Sequence, residues 1–380
     1  MSRALALCWL SLACGSQEAR TQPGSGGNAT ATSAGTGGVA PTPGGTNPGG
    51  AGAGGRGNEA GANVGGNVSG NLSGAGPGGA SAGSQVMLTL KQPIERGDDK
   101  LVLEFGSTYF EVKPGHGGRI TSLRQAGQEL LWLKGADNYA DAIGSTFWPS
   151  PQSWPWPPPA EIDTLAYAAT VDARGVITLQ GEKNDATGLR VSKRFSANLS
   201  REALELEYAM TNVGALAVKW APWEITRLPA DGLAFWPTGG ETGGETGGET
   251  ASAPRGDKPM ASHAELGVTW CSPAETSGEG KLFADGAGGY LAYARGDRVL
   301  VKQFQDQPAS AAAPGEAEIE LYVNPDHSYV EVENQGAYTS IAPGQTVSWR
   351  VVWYVRKLPA AVSPSTSHAD LVAFVVKTLE

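Results

Sequence analysis

A glycine-rich stretch near the start of the chain limits how much of it can fold. Residues 15–87 contain 24 Gly in 73 positions and no Phe, Trp, Tyr or Lys. This composition cannot bury enough apolar surface to offset the entropy lost on ordering, so we expect the stretch to be disordered. Its glycines follow no strict three-residue period, which excludes collagen. About 290 residues remain to form one large domain or two small ones.

The charge of the chain divides at the same place. Residues before 88 carry three Arg and two Glu, whereas the remainder carries 25 basic and 36 acidic residues, a balance of −11. An acidic domain without a basic cluster repels a polyanion. We therefore expect no nucleic-acid partner.

The first residues have the pattern of an export signal. Arg3 precedes an apolar run from Ala4 to Ala13 that is too short to span a bilayer. Residues 10–16 resemble the cleavage box of bacterial lipoproteins, with Cys14 as the acylated first residue of the mature chain. Ser11 and Leu12 depart from the usual form of that box. Plain secretion and an uncleaved anchor remain alternatives.

These features predict the domain organisation and location of the chain. We expect a signal peptide at 1–13, a lipidated glycine-rich linker at 14–87 and a folded domain at 88–380. The protein is then exported to the cell envelope, on the outer membrane or cell surface, and contacts membrane only through its lipid. A secreted or periplasmic location is the alternative. We expect the domain to be a monomer.

From residue 88 onward the sequence changes to short strands separated by Gly or Pro. Helical periodicity is convincing only at 368–377, where Ser367 and Asp370 form a plausible capping pair. Many short strands with turn residues between them predict an all-β sandwich or barrel in one domain. The predicted strands are 101–105, 109–112, 119–123, 129–133, 190–195, 204–210, 318–323, 329–333 and 347–355, with others at 233–236 and near Leu266.

A low-complexity segment interrupts the domain at 239–256. Gly-Gly-Glu-Thr repeats three times within it, which predicts an expanded surface loop of small closure cost. The alternative is a set of acidic metal ligands formed by Glu241, Glu245 and Glu249. On a glycine-rich loop these carboxylates would lack a fixed arrangement.

The sequence motifs of common enzyme classes are missing from the chain. There is no dinucleotide fingerprint, phosphate loop, nucleophile elbow or His-Glu-X-X-His. With four His in the chain and a single Cys in the domain, we expect no zinc or redox metal site and no cofactor. That cysteine, Cys271, is expected to be a buried strand residue.

An aromatic, proline-rich segment spans residues 147–159. Pro flanks each Trp, which favours an extended segment unable to pair as a central strand. Stiffly held indoles with a nearby amide suit the apolar face and hydroxyl rim of a sugar ring. The same rings could equally pack a rigid loop onto the core. The candidate ligand-binding residues are Trp148, Gln152, Trp154 and Trp156.

A second cluster lies within residues 219–227. On a strand, Trp223 and Arg227 share one face with Ile225, while Glu224 and Thr226 share the other. Directed into a cleft, the Glu224 carboxylate or the Arg227 guanidinium would bind hydroxyl groups. Alternatively, both side chains pair with neighbouring residues.

Several phrases resemble the galactose mutarotase-like, or aldose 1-epimerase-like, superfamily, specifically a bacterial lipoprotein branch of it. The resemblance spans roughly residues 100–358 and implies a β-supersandwich of two large antiparallel sheets with a carbohydrate cleft on the concave face. The phrases are Gly117–Leu123, Gly127–Trp132, Phe147–Gln152, Thr187–Val191, Tyr208–Asn212, Trp220–Arg227, Val332–Gln335 and Ile341–Gln345.

The resemblance implies catalytic residues only in part. Glu333, followed by Gln335, stands where the family's proton-abstracting Glu would be, and Arg119 lies in the opening motif. The His that acts as the catalytic acid in this family is missing, and Trp220 or a neighbour stands in its place. His116 lies in a family motif, but at a turn position.

We therefore predict a carbohydrate-binding protein that is not catalytic. One alternative is an epimerase with Glu333 as base and Glu224 or His116 as acid. The other is a structural envelope protein with a vestigial cleft.

Overall fold

The computed structural model describes residues 89–91, 99–136, 139–238, 260–365 and 368–380. The predicted signal peptide, Cys14, the glycine-rich linker, the loop 239–256 and Ser367 lie outside these residues.

Strands dominate the described residues, which also contain a short and a longer α-helix and two single-turn 3₁₀ helices at Pro273–Glu275 and Ala309–Ala311. The strands are β1 (Leu101–Phe105), β2 (Thr108–Lys113), β3 (Arg119–Gln125), β4 (Gln128–Glu129), β5 (Ser145–Ser150), β6 (Ala168–Val171), β7 (Ile177–Asn184), β8 (Leu189–Asn198), β9 (Ala203–Asn212), β10 (Val218–Pro229), β11 (Leu233–Pro237), β12 (Ser262–Glu265), β13 (Val268–Cys271), β14 (Gly280–Ala284), β15 (Tyr290–Arg295), β16 (Arg298–Gln303), β17 (Ile319–Val323), β18 (Tyr329–Gln335), β19 (Thr339–Ile341) and β20 (Thr346–Lys357); the α-helices are α1 (Ala160–Asp163) and α2 (His368–Leu379).

Within the described residues the strands form two ten-stranded sheets in which neighbouring strands are antiparallel. Sheet I has the order β1-β2-β3-β5-β10-β18-β17-β14, with β4 beside β3 and β19 beside β10. Sheet II has the order β12-β13-β11-β15-β16-β20-β9-β8-β7-β6. The predicted all-β sandwich of two large antiparallel sheets, with a short C-terminal helix, is confirmed.

The main core lies between the two sheets. Phe147 of sheet I stacks on Tyr208 of sheet II, with ring centroids 4.6 Å apart, and Phe110 meets Phe195 edge-on at 5.4 Å. All four rings are buried. These aromatic pairs hold the inner faces together by burial and by their offset or edge geometry.

Helix α2 covers part of the outer face of sheet II. Leu371 and Val375 are fully buried in a second apolar cluster that includes Phe235 and Trp270. The helix predicted at 368–377 is confirmed and extends to Leu379. Among the described residues, no helix has both the length and the apolar character needed to cross a membrane.

The strand predicted at 129–133 is wrong beyond its first residue, because β4 ends at Glu129. The Glu129 carboxylate accepts hydrogen bonds from the backbone N–H groups of Leu123 (2.9 Å) and Leu131 (3.1 Å). The chain then leaves β3, and the Trp132 N–H donates to the Arg227 carbonyl at 2.8 Å. Hydrogen bonds to the Glu129 side chain thus replace the backbone hydrogen bonds that a longer strand β4 would form.

The expectation that the Pro-rich segment cannot pair as a central strand is wrong for its first part. Strand β5 contains Pro149 and pairs with β10 inside sheet I, where Pro149 lies directly opposite Pro222. Opposed residues on antiparallel strands alternately exchange two hydrogen bonds or none. Two prolines, which have no N–H, fit a position of the second kind. Residues 151–159 do form a loop, as expected.

Cys271 is a buried strand residue, as predicted. Burial raises the pKa of its thiol to about 12. It is therefore a thiol at neutral pH and packs as a small apolar side chain.

Candidate binding site

The two faces of β10 are identified by one ion pair. Glu224 lies 2.6 Å from the ammonium group of Lys302 on β16, so Glu224 points toward sheet II. Because side chains alternate along a strand, Trp223, Ile225 and Arg227 point to the opposite face of sheet I. We call this the outer face.

Cross-strand pairing extends the outer face over neighbouring strands. Trp223 lies opposite Trp148 of β5 and Gln335 of β18, and Ile225 lies opposite Thr146 and Glu333. The register of β17 on β18 then brings Glu320 directly opposite Glu333. Sequence positions up to about 190 residues apart therefore meet on one surface.

Asp163, at the end of α1, holds the loop 151–159 over one half of the outer face. We call this loop the covering loop. Its Oδ1 accepts hydrogen bonds from Arg119 (2.7 Å), Thr146 (2.9 Å) and Trp148 (2.8 Å), and the Tyr139 hydroxyl donates to its other oxygen. Burial on its own would raise the pKa of Asp163, but the Arg119 guanidinium and these donors hold it below its ordinary value. Arg119 therefore positions the loop through Asp163 instead of facing solvent.

Four indoles form an aromatic cluster beside Asp163. Trp148 meets Trp154, Trp156 and Trp223 edge-on, at centroid distances of 5.6, 6.1 and 5.4 Å. Three of the rings are buried, whereas Trp156 is 39% exposed and packs edge-on against Tyr139. Trp156 is thus the member of the cluster that is open to solvent.

The other half of the outer face carries a pair of buried carboxyl groups. Glu320 and Glu333 are both fully buried. The Trp223 indole N–H donates to Glu333, Gln335 donates to Glu320 at 3.2 Å, and the Lys281 ammonium contacts Glu320. The two residues lie on the adjacent strands β17 and β18, which stand between β14 and β10 in sheet I.

Burial raises the pKa values of both carboxyl groups. Burial is the larger cause for each; it raises the pKa of Glu320 to about 8, with Lys281 opposing and Glu316 adding to the effect. For Glu333, burial and the neighbouring Glu320 raise the pKa well above 4.5. A buried carboxyl with a raised pKa keeps its proton at neutral pH more readily than an ordinary Glu. A carboxyl of this kind can donate a proton to a bound group at neutral pH.

Several buried polar atoms of this face have no hydrogen-bond partner among the described residues. They include Nε and Nη1 of Arg227, Oε1 of Glu333 and Oε1 of Gln335. The remaining amino group of Arg227 pairs with Glu331 at 2.8 Å, and its guanidinium lies over the Trp148 ring at 5.6 Å. Unpartnered donors of β10 and unpartnered acceptors of β18 thus lie beside the indoles, and we call these three side chains the polar row.

The structure brings most of the sequence-predicted site residues together. Trp148, Trp154, Trp156 and Trp223 form the aromatic cluster, and Arg227, Glu333 and Gln335 form the polar row. Arg119 joins them through Asp163, and Gln152 lies in the covering loop with Oε1 unpartnered among the described residues. Glu224 points away from this face, toward sheet II.

Sequence reasoning missed Glu320, Lys281 and Asp163. Glu320 lies in a predicted strand, but alternation assigns its side chain only to a face and does not show that loops bury that face. Asp163 follows the Pro-rich segment in a four-residue helix with no recognisable motif. The sequence does not show that β17 pairs with β18, and it is this pairing that brings a second carboxyl opposite Glu333.

The chain is similar to several solved structures. A TPR-domain containing protein from Parabacteroides distasonis is 16% identical over 70% of this chain, with a TM-score of 0.48, and the chain spans about half (48%) of its length. Galactose mutarotase-like proteins from Lactobacillus casei and Clostridium acetobutylicum are each 12% identical. The first covers 68% of this chain and 100% of its own (TM-score 0.44), and the second 71% and 99% (TM-score 0.43). Structures described as galactose mutarotase-like are thus among those similar to this chain, as the sequence resemblance predicted.

No curated protein matches the sequence. Residues 148–356, more than half of the chain, match a family described as a domain of unknown function (DUF4380). The matched span begins at Trp148 and contains the polar row and both buried carboxyl groups.

Proposed function

The chain belongs to the DUF4380 family of domains of unknown function, and from the outer face of sheet I we propose that it binds carbohydrate. The observation that carries the proposal is the row of buried, unpartnered polar atoms of Arg227, Glu333 and Gln335 beside the indole cluster. A buried polar group without a partner is costly, so such atoms mark a place where a ligand or water completes the bonding.

Carbohydrate is the ligand class whose chemistry matches this row. A sugar hydroxyl both donates and accepts, so it can serve the Arg227 N–H groups and the oxygens of Glu333 and Gln335 together. The C–H face of a pyranose ring packs on an indole, for which Trp156 is the exposed candidate. In this proposal the sugar stacks on Trp156 and directs its hydroxyls past Trp148 toward Arg227.

A second candidate, an aldose 1-epimerase-like isomerase, is favoured by the Glu320–Glu333 pair. Opening a sugar ring breaks the bond between the anomeric carbon and the ring oxygen. An acid must protonate the ring oxygen, and a base must remove the proton of the anomeric hydroxyl. Glu333 would be the base. Glu320 would be the acid, because it lies directly opposite Glu333 and burial raises its pKa to about 8.

The binding proposal is tested by measuring glycan retention and solution affinity of the full chain. Truncating an aromatic anchor costs about 2 kcal/mol, so we expect Trp156→Ala to weaken binding by about 30-fold. Arg227→Lys should also weaken binding, because it removes two of the unpartnered donors. Leu216→Ala, at an exposed apolar loop position, is the matched control and should bind like the wild type.

Polarimetry on a freshly dissolved α-anomer separates the two candidates. A binder leaves the rate of mutarotation unchanged, whereas an epimerase raises it in a way that Glu333→Gln and Glu320→Gln each abolish. If the chain neither retains a glycan nor accelerates mutarotation, both functions are wrong and a structural role in the envelope is favoured.

We further propose that the domain is attached to the cell envelope through lipid on Cys14. The proposal is supported by the apolar run and cleavage box of the first 16 residues. Cys14→Ser should move the protein from the membrane fraction to the soluble fraction, because the acyl chains on that one residue supply the attachment. Ser16→Ala is the control and should remain with the membrane. A wild-type protein that is soluble and carries no lipid would contradict the proposal.

A further inference from the structure

Two of the four histidines meet at the free edge of sheet II. His263 and Glu265 lie on β12, the edge strand, and because they are two residues apart their side chains project to the same face. His368 is the first residue of α2. The packing of α2 on sheet II brings the His368 ring to this pair, although about a hundred residues separate it from β12.

The distances among these three side chains suit a bound metal ion. One ligand atom from each of His263, Glu265 and His368 lies within 4.8 Å of the other two. His368 Nδ1 lies 3.4 Å from Glu265 Oε2. In a tetrahedral zinc site with bonds of about 2.0–2.1 Å, neighbouring ligand atoms are about 3.4 Å apart. One edge of such a tetrahedron is therefore already formed, and rotation of the exposed His263 side chain would complete the face.

A buried indole holds two of the ligands in place. The His368 ring stacks on Trp270, with centroids 4.3 Å apart and an interplanar angle of 15°. The Trp270 N–H donates to the backbone carbonyl of Glu265 at 3.1 Å. Because Trp270 is fully buried in the cluster beneath α2, it positions the helix-borne imidazole and the backbone of Glu265.

We propose that His263, Glu265 and His368 form a site for a divalent transition metal, with Zn²⁺ as the ion best matched to it. Two imidazole nitrogens and one carboxylate oxygen suit Zn²⁺ and its neighbours, whereas Ca²⁺ and Mg²⁺ prefer sites made of oxygen alone. Three protein ligands leave a fourth position for water or another donor, as in open zinc sites. The side chains of His263 and Glu265 are exposed, so an ion can reach them.

The site lies on sheet II and is independent of the proposed carbohydrate site on sheet I. A bound ion would connect α2 to the edge strand β12, because its ligands come from both elements. Metal binding should therefore stabilise the docking of α2. The number of histidines in the sequence argued against a zinc site, but it could not show that two of them meet.

The test is zinc titration of the full, tag-free chain by calorimetry and by thermal unfolding. We expect about one Zn²⁺ per chain and a rise in melting temperature on binding. His263→Gln and His368→Gln should each weaken zinc binding by at least about tenfold and remove the thermal shift. His327→Asn is the matched control: it removes a histidine from a turn where the backbone is left-handed, a conformation that Asn accepts.

Cobalt titration gives an independent reading of the ligand geometry. Co²⁺ bound at this site should produce the visible absorption of a low-coordinate ion, and both Gln variants should lose it while His327→Asn keeps it. The proposal is overturned if the wild type binds no zinc, or if both Gln variants bind zinc as tightly as the wild type. A variant that unfolds is replaced by Glu265→Gln, which should also weaken binding.

Discussion

Glu224 and Lys302 form a buried ion pair between the two sheets. Both side chains are fully buried, and the Lys302 ammonium also donates to the Val332 carbonyl at 2.6 Å. The hydroxyls of Ser145 and Thr226 donate to the other Glu224 oxygen at 3.0 and 2.8 Å. Burial lowers the pKa of Lys302, and Glu224 opposes that effect. With its oxygens bonded in this way, Glu224 acts in the interior, in line with the alternative that it pairs with neighbours.

Removing one partner of this pair should therefore be expensive. Lys302→Met leaves an uncompensated buried carboxylate, and we expect a loss of about 3–5 kcal/mol in unfolding free energy, measured in urea. The double variant Lys302→Met/Glu224→Gln should recover part of that loss. Lys91→Met, which breaks an exposed pair with Glu104 (3.4 Å), should cost less than about 1 kcal/mol. A cost for Lys302→Met as small as that of Lys91→Met would contradict the buried pair.

At the scale of single elements, about half of the strands in the described residues could be predicted from local pattern. The apolar and polar alternation of 190–195, 204–210 and 347–355 is the direct consequence of a strand with one face in a core, and β8, β9 and β20 are found there. The helix at the C-terminus was equally clear from its 3.6-residue period. Regular pairing alone did not make a strand predictable, because β7, β14, β15 and β16 pair with antiparallel neighbours and were not among the predicted strands.

Elements that depend on a side chain or on a distant partner could not be predicted. The strand expected at 129–133 ends at Glu129, because the Glu129 carboxylate accepts hydrogen bonds from the backbone N–H groups of Leu123 and Leu131. Strand β5 was not predicted, because its proline argued against a central strand. Only the register with β10 reveals that this proline lies opposite another proline. The candidate site has the same limit. The row of Trp223 and Arg227 follows from alternation along one strand, but Glu320 joins Glu333 only through the pairing of β17 with β18.

Across the whole molecule, buried carboxyl groups should make stability depend on pH. Burial raises the pKa values of Glu318 and Glu320 to about 8, and it also raises that of Glu333. The charged groups around Glu320 are Lys281 on β14, Glu333 on β18 and Glu316 in the preceding loop. Burial lowers the pKa of Lys193 from 10.5 to about 7. Lys193 acts in the opposite sense, but only above about pH 7.

We expect the unfolding free energy to fall as pH rises from about 5 to about 7. In that range the folded chain keeps protons on Glu318 and Glu320 that the unfolded chain, with carboxyl pKa values of 4.5, has released. The folded state therefore binds more protons, and each such group lowers stability by up to about 1.4 kcal/mol per pH unit. Urea unfolding at several pH values measures this slope. Glu320→Gln should make it shallower, whereas Glu104→Gln, at a partly exposed position of β1, should leave it unchanged. Stability that rises over this pH range would show that these carboxyl groups are ionised in the folded protein.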